Sequence, residues 1–274
     1  MNHVPIVRIL LWCVATSLIA MLILALVSIV FSLDVLSYVA EFLPLVAVFT
    51  LWWRLKTHGV SLRTWLTFRE GFPSFNSFTQ LACWQLVFLL FSMAIVFVLM
   101  YFVALLFPSL LTDFIPNPSF LHDRSFIRGF LATVLIAPIV EEMFFRGFLL
   151  QKWAARYGLF TGAIIASLVF ALLHVNLGFL GHFMIGLFWS FLYMATKNIW
   201  LPIVLHAFHN LVLLVIFHLP IGETPETSEL TVKMFYYTGY VGIALSLLSL
   251  PFILWKLQQV YKQAKANENF LTIN

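Results

Sequence analysis

Residues 130–150 read FLATVLIAPIVEEMFFRGFLL, an apolar run that two adjacent carboxylates, Glu141 and Glu142, interrupt. Such a run is long enough to cross a bilayer, for which about 20 residues are needed. An ionisable side chain at mid-membrane costs about 2.5–3.5 kcal/mol on insertion scales, so it persists mainly where it is paired or functional. The stretch therefore predicts a membrane-spanning helix that carries a polar site.

The order of the charges in this run predicts which carboxylate is paired. In a helix, Glu142 and Arg146 share a face four positions apart, with the acid in the favourable N-terminal place. Glu141 is rotated from Glu142 by about 100° and has no such partner nearby in the sequence. Pro138 removes a backbone donor close to Glu141 and is expected to kink or loosen the helix. We expect Arg146 to hold Glu142 in a supporting role, which leaves Glu141 for chemistry.

The composition predicts an all-α, polytopic membrane protein. Of 274 residues, 62% are hydrophobic and 9% are charged, whereas a soluble domain carries about 25% charged residues. No polar block is long enough for a second domain, so we expect a single membrane domain over residues 1–274, surrounded by the lipid bilayer. Cys13 and Cys83 both fall in apolar runs and are expected to be buried core residues. About eight spans are predicted, namely Ile9–Phe31, Val35–Trp53, Leu81–Phe107, Phe126–Leu150, Leu159–His174, Phe179–Ala195, Ile199–Leu219 and Tyr240–Trp255.

The distribution of charge predicts the topology. With both termini in the cytoplasm, twelve of the 15 basic residues lie on the inner side, and Arg124, Arg128 and Lys233 lie outside. This bias predicts a protein of the plasma membrane and gives no indication of nucleic-acid binding. The predicted connections are an interfacial segment at Arg54–Gln80, a loop at Leu110–Ser125, a polar turn at Gln151–Gly158 and an acidic loop at Pro220–Tyr237.

Further polar residues lie in the predicted spans. His174 ends the fifth span, and His206 and Asn210 are four positions apart on one face of the seventh. A lone intramembrane histidine is more often a structural hydrogen-bonding group, and Glu41, His182 and His209 are interpreted in that way. The coincidence of Glu141 with His174, His206 and Asn210 favours a functional site instead.

The set of motifs resembles a known family. Glu141–Arg146 has the pattern Glu-Glu-x-x-x-Arg, 170–174 the pattern Phe-x-x-x-His, and 206–210 the pattern His-x-x-x-Asn. Together they resemble the CPBP (Abi) family of intramembrane proteases, which includes the CAAX prenyl endopeptidases and the bacteriocin-processing and immunity proteins. The resemblance covers about residues 128–214 and implies a catalytic core at 126–219. It implies hydrolysis of a peptide bond in a membrane-associated or lipidated protein or peptide, such as a CAAX protein, a bacteriocin or a pheromone.

The chemistry of the four residues agrees with that implication. Glu141 is a candidate general base for a water molecule, and His174 is placed to orient that water or share its proton. His206 and Asn210 are candidate donors to the negative charge of a tetrahedral intermediate. There is no His-Glu-x-x-His motif, so a mechanism without metal or other cofactor is favoured. The alternative is a zinc site with Glu141, His174 and His206 as ligands.

Two other functions stay open at this point. The same scaffold could serve as a non-catalytic membrane adaptor or immunity protein, because fold alone does not fix function. A transporter is disfavoured because the chain shows no inverted repeat. The predicted depths also differ: His174 falls near the outer surface and Glu141 deeper. We therefore expect the fifth and sixth spans to form a short hairpin that turns in mid-membrane, near Asn176 and Gly178.

Overall fold

A computed structural model describes residues 5–32, 35, 38–61, 73–107, 126–174, 178–218 and 228–267 of the chain. These residues form eight helices, in agreement with the predicted all-α fold. They are α1 (Ile6–Phe31), α2 (Val39–Thr57), α3 (Phe75–Leu106), α4 (126–157), α5 (Leu159–Leu173), α6 (Phe179–Thr196), α7 (Trp200–His218) and α8 (Ser228–Ala266).

The helices have the length and composition of a polytopic membrane protein. Within the described ranges, α1, α3, α6, α7 and the Lys233–Ala266 part of α8 are each long and apolar enough to cross a membrane. The apolar helix α5 is shorter, and charged residues lie along α2 and α4. The prediction of a polytopic membrane protein is thereby confirmed.

Several predicted boundaries were wrong because helices continue past the apolar residues. The predicted polar turn at Gln151–Gly158 is the last part of α4, and the helix ends only at Gly158, whose φ of 83° favours glycine. α3 begins at Phe75, inside the predicted Arg54–Gln80 connection, where the Ser74 side chain accepts from the Ser77 N–H. α8 begins at Ser228, within the predicted acidic loop. The Leu110–Ser125 loop and the rest of the acidic loop before α8 lie outside the described residues.

The two cysteines were predicted to be buried, and the structure agrees for only one of them. Cys13 is buried and Cys83 is exposed on the surface of α3, and both are free thiols. An apolar run identifies a helix in lipid, but its residues on the lipid side are as apolar as those on the protein side. Composition therefore could not distinguish the two positions.

The helices pack around α6, whose residues are mostly buried. α1 packs on α2, α3 on α8, α5 on α6, and α7 along the first half of α4. Phe88 of α3 stacks on Phe188 of α6 with 4.7 Å between the ring centroids. Gly181 allows close approach of the same two helices, because a Cβ there would overlap the Ser92 hydroxyl and lie 2.8 Å from the Ser92 Cα.

Helix α4 has two wide turns that bracket the carboxylates. Its segments Phe130–Ile136 and Phe145–Leu150 are π-helical, and the α-helical segment Ala137–Phe144 lies between them. The Ala137 N–H bonds to the Ala132 carbonyl, five residues back. Pro138 has no N–H with which to continue this register, so the Thr133 carbonyl loses its intrahelical partner. The predicted loosening of the helix at Pro138 is confirmed.

Candidate active site

The charged centre of the protein is the pair formed by Glu142 and Arg146. Arg146 Nη1 donates to Glu142 Oε1 at 2.8 Å, and both side chains are inaccessible to solvent. Arg146 Nη2 donates to the Gly186 carbonyl of α6 at 3.0 Å. The guanidinium also lies over the rings of Phe170 and Trp189, 4.8 and 5.3 Å from their centroids. The predicted ion pair is present, and it connects α4 with α5 and α6.

His206 of α7 extends the pair toward Glu141. Its Nδ1 lies 2.9 Å from Glu142 Oε1, which also accepts from Arg146. A carboxylate only accepts, so His206 carries a proton on Nδ1. Its ring is stacked on Trp189 with 4.3 Å between centroids and 26° between planes. The imidazole is thus fixed in orientation, with Nε2 directed toward Glu141 at 3.9 Å.

Glu141 is placed differently from its neighbour. Its Oε2 lies 3.6 Å from His174 Nε2 and 3.9 Å from His206 Nε2. That oxygen is buried and makes no hydrogen bond within the described part of the chain. The Oε2 atoms of Glu41 and Glu142 also lack a hydrogen bond among the described residues, so the feature that separates Glu141 from them is its place in the lining of a cavity.

The carboxylate of Glu141 opens on a cavity of about 510 Å³ enclosed by α4, α5, α6 and α7. All four sequence-predicted catalytic residues line this cavity. The complete lining is Gly129, Thr133, Ala137, Glu141, Phe170, His174, His182, Ile185, Trp189, His206, His209, Asn210, Leu213, Leu214, Phe217 and His218. The cavity therefore combines a polar end with apolar walls.

His174 reaches Glu141 because α5 is short. Its 15 residues rise about 22 Å, which is less than the roughly 30 Å of the hydrocarbon core. The short helix agrees with the expected hairpin of the fifth and sixth spans, although Asn176 at its predicted turn lies outside the described residues. His174 Nδ1 donates to the Phe170 carbonyl at 2.8 Å. When the ring is neutral, Nε2 therefore presents its lone pair toward Glu141.

Asn210 lines the cavity one helical turn beyond His206, as predicted. Its Nδ2 donates to the Thr133 carbonyl at 2.7 Å. This is the carbonyl that lacks an intrahelical donor because of Pro138, so the amide joins α7 to the loosened turn of α4. One of the two amide N–H groups is thus committed to the fold, and the second is left for other partners.

Sequence reasoning missed a buried network behind the cavity. Gln85 of α3 is fully buried, accepts from the Trp189 indole at 2.9 Å and contacts His209 Nδ1 at 3.0 Å. His209, expected only to pack, lines the cavity. A single glutamine among the apolar residues of the third span was the available signal.

His182 and Glu41, which were interpreted as structural from the sequence, differ in their positions relative to the cavity. The His182 ring stacks on His174 with 4.8 Å between centroids, and its Nδ1 donates to the Gly178 carbonyl at 2.9 Å. Glu41 accepts from Arg128 Nε at 3.0 Å and is not among the lining residues of the cavity. His182 does line the cavity, so it borders the polar end from the side of α6.

The zinc alternative would use three residues of the same site as ligands. Among the residues that the structure describes, no group of three or more His, Cys, Asp or Glu side chains is arranged to hold a metal ion. Glu141 Oε2 nevertheless lies 3.6 and 3.9 Å from the Nε2 atoms of His174 and His206, so metal analysis of the protein is needed to decide between the two mechanisms.

Fold and cavity together define a polytopic membrane protein with a polar site enclosed by helices. Comparison with known families matches residues 123–212 to the model of the type II CAAX prenyl endopeptidases, Rce1-like. This match contains all three motifs and confirms the resemblance to the CPBP proteases predicted from them.

A curated relative agrees with the family match. The Bacillus subtilis (strain 168) protein named "Putative membrane peptidase YdiL" is 31% identical over 81 residues, which are 29% of this chain. The matched stretch spans 33% of that relative's own length. No solved structure is significantly similar to the chain.

Proposed function

We propose that this protein is an intramembrane endopeptidase and that Glu141 is its general base. The observation that carries the proposal is the position of Glu141, which lines the cavity and has its carboxylate beside two histidines. The Glu141 side chain is 25% exposed, whereas that of Glu142 is fully buried and its Oε1 binds Arg146 and His206, so of these two carboxylates Glu141 is the one that water can reach. The family match and the relative named as a membrane peptidase support the same reaction class.

In the proposed reaction, a water molecule binds between Glu141 and His174. Glu141 Oε2 removes its proton while the oxygen attacks the carbonyl carbon of the scissile peptide bond. His174 Nε2, whose lone pair faces Glu141, holds the second hydrogen of the water and thereby orients the attack. The C–N bond of the tetrahedral intermediate then breaks as Glu141 delivers its proton to the departing amine nitrogen, so the carboxylate returns to its starting state and the new carboxyl group keeps the oxygen of the water.

The oxygen of the tetrahedral intermediate requires donors. The Nδ1–H of His206 already donates to Glu142, so His206 can donate to this oxygen only through Nε2. In the proposed reaction Nε2 therefore also carries a proton, and the ring acts as an imidazolium. This assignment balances two carboxylates, Glu141 and Glu142, against Arg146 and His206. The remaining N–H of Asn210 is the second donor, while its first stays on the Thr133 carbonyl.

The proposed substrate is a membrane-associated or lipidated peptide. The apolar wall of the cavity, formed by Leu213, Leu214 and Phe217 of α7, suits an apolar side chain or a lipid group. Because the matched family is that of CAAX prenyl endopeptidases, a prenylated peptide is the first candidate. Bacteriocin or pheromone precursors are candidates of the same kind, since they also present apolar peptides at a membrane.

The proposal is tested by comparing peptides from membranes that contain the wild type with peptides from membranes that contain Glu141→Gln. If the protein is a protease, at least one precursor should accumulate with the variant and be shortened with the wild type. Synthetic farnesylated and unmodified copies of that precursor then separate a prenyl requirement from recognition of the peptide alone. Identical peptide profiles, with both proteins inserted at equal levels, would favour the non-catalytic adaptor instead.

A further inference from the structure

The buried network of Gln85, Trp189 and His209 determines where the proton of one cavity histidine lies. Gln85 accepts the Trp189 indole N–H at 2.9 Å through Oε1, and its Nε2 lies 3.0 Å from His209 Nδ1. All three side chains are buried. They connect α3, α6 and α7 at the wall of the cavity.

The orientation of the Gln85 amide follows from donor and acceptor chemistry. An indole nitrogen only donates, so the atom of Gln85 that faces Trp189 must be the carbonyl oxygen. The opposite orientation would point an amide N–H at the indole N–H. The Gln85 NH₂ group therefore faces His209 and donates to Nδ1.

The same logic fixes His209. Because Nδ1 accepts a hydrogen bond, it carries no proton, and the neutral ring holds its proton on Nε2. An imidazolium would direct an N–H at the amide N–H of Gln85. Nδ1 is the ring nitrogen that contacts Gln85, and His209 is one of the residues that line the cavity. The N–H that this tautomer leaves for a further partner is therefore on Nε2.

We propose that His209 Nε2–H binds an acceptor oxygen of the substrate peptide and that Gln85 is the positioning residue that keeps this proton on Nε2. The proposal rests on the proposed protease function, since the acceptor belongs to the peptide. His209 is distinct from the four reacting residues, and its face of α7 turns toward α3. The acceptor is a main-chain carbonyl or the terminal carboxylate of the peptide, two groups with the same oxygen chemistry.

Nitrogen NMR of histidine-labelled protein in lipid bilayers tests the proton position without any need for activity. We expect one histidine signal with unprotonated Nδ1 and protonated Nε2 that disappears in His209→Phe. In Gln85→Glu, a carboxylate accepts from both neighbours, so Nδ1 of His209 should become protonated. Gln151→Glu is the control, because Gln151 donates to the Tyr193 hydroxyl and does not line the cavity. A wild-type His209 with its proton on Nδ1 would overturn the proposal.

Kinetics test the binding role. With a farnesylated, internally quenched peptide ending in Cys-aliphatic-aliphatic-Met, we expect His209→Phe to raise KM about three- to tenfold, the effect of one lost hydrogen bond. The value of kcat should stay within about twofold, because this donor contacts the ground state and the transition state alike. Gln85→Glu should raise KM in the same way and Gln151→Glu should not.

A C-terminally amidated copy of the peptide identifies the acceptor. If His209→Phe no longer raises KM for this amidated copy, the acceptor is the terminal carboxylate. If it raises KM as before, the acceptor is a main-chain carbonyl. An unchanged KM in His209→Phe, or a fall confined to kcat, would contradict the binding role. If the wild type cleaves neither peptide and none accumulates with Glu141→Gln, the protease function itself fails, whereas the NMR result still decides the proton position.

Discussion

At the scale of single residues, Glu142 and Arg146 show why a carboxylate pair persists in an apolar helix. Burial of either charge alone would cost several kcal/mol. Arg146 instead binds Glu142 and the Gly186 carbonyl and lies against two aromatic rings. Glu142 in turn orients His206. The pair therefore holds three helices around Glu141.

Removal of one partner of this pair should unfold the site. We expect Arg146→Met to lower the free energy of unfolding by about 3–5 kcal/mol, because Glu142 is left buried and uncompensated. Thermal unfolding in detergent measures the loss. The double variant Glu142→Gln/Arg146→Met should recover part of it. A single variant as stable as the wild type would show that the pair is not a structural centre.

The residues of the site also predict the outcome of a metal test. If His206 and Asn210 are oxyanion donors, proteolysis should survive exhaustive chelation, and elemental analysis of active protein should find no stoichiometric zinc. Asn210→Ala should then lower turnover about 10²–10³-fold. One equivalent of zinc, with activity lost on chelation and restored by zinc, would establish Glu141, His174 and His206 as ligands. The protease function would survive that result.

At the scale of elements, the loosened turn of α4 explains a contact that the motif alone does not. The Thr133 carbonyl has lost its intrahelical donor at Pro138 and accepts from Asn210 instead. In Pro138→Ala, a restored N–H should compete for that carbonyl. We expect Asn210→Ala to cost about 1 kcal/mol of stability in the wild type and close to nothing in Pro138→Ala. Denaturant unfolding of the four proteins measures this coupling, and additive losses would contradict it.

Sequence patterns predicted the features of the helices that depend only on residues close together in the chain. The Glu142–Arg146 pair follows from helical spacing, and the effect of Pro138 follows from its missing N–H. The network of Gln85 with His209 could not be predicted, because it joins residues 124 positions apart and depends on how α3 packs. The end of α4 was placed too early because polar residues after an apolar run resemble a turn as much as a helix that leaves the membrane.

At the scale of the whole molecule, the contacts of Arg54 and Lys256 mark one end of the helices. Arg54 lies over the Trp12 ring, Lys256 lies over the Trp84 ring, and Asn267 donates to the Ala195 carbonyl. At the opposite end, Arg128 pairs with Glu41 and Phe126 contacts His218. We propose, as the charge bias of the sequence predicts, that the end with Arg54 and Lys256 faces the cytoplasm.

Labelling of single cysteines tests that orientation. In a chain with Cys13→Ala and Cys83→Ala, an impermeant maleimide should label Lys233→Cys in intact cells. It should label Lys262→Cys only after the membrane is opened, because Lys262 lies near the basic end of α8. Labelling of Lys262→Cys in intact cells would reverse the orientation of the whole bundle.

The turnover of Glu141→Gln, measured on purified protein in liposomes, tests whether this carboxylate activates water. Glu41→Gln is the matched control, since it replaces another intramembrane carboxylate that is not among the cavity-lining residues. We predict that Glu141→Gln loses about 10²–10⁴-fold in turnover with its fold intact, while Glu41→Gln keeps activity within about threefold of the wild type. A Glu141→Gln protein that cleaves the substrate as fast as the Glu41→Gln control would contradict the role of Glu141 as general base.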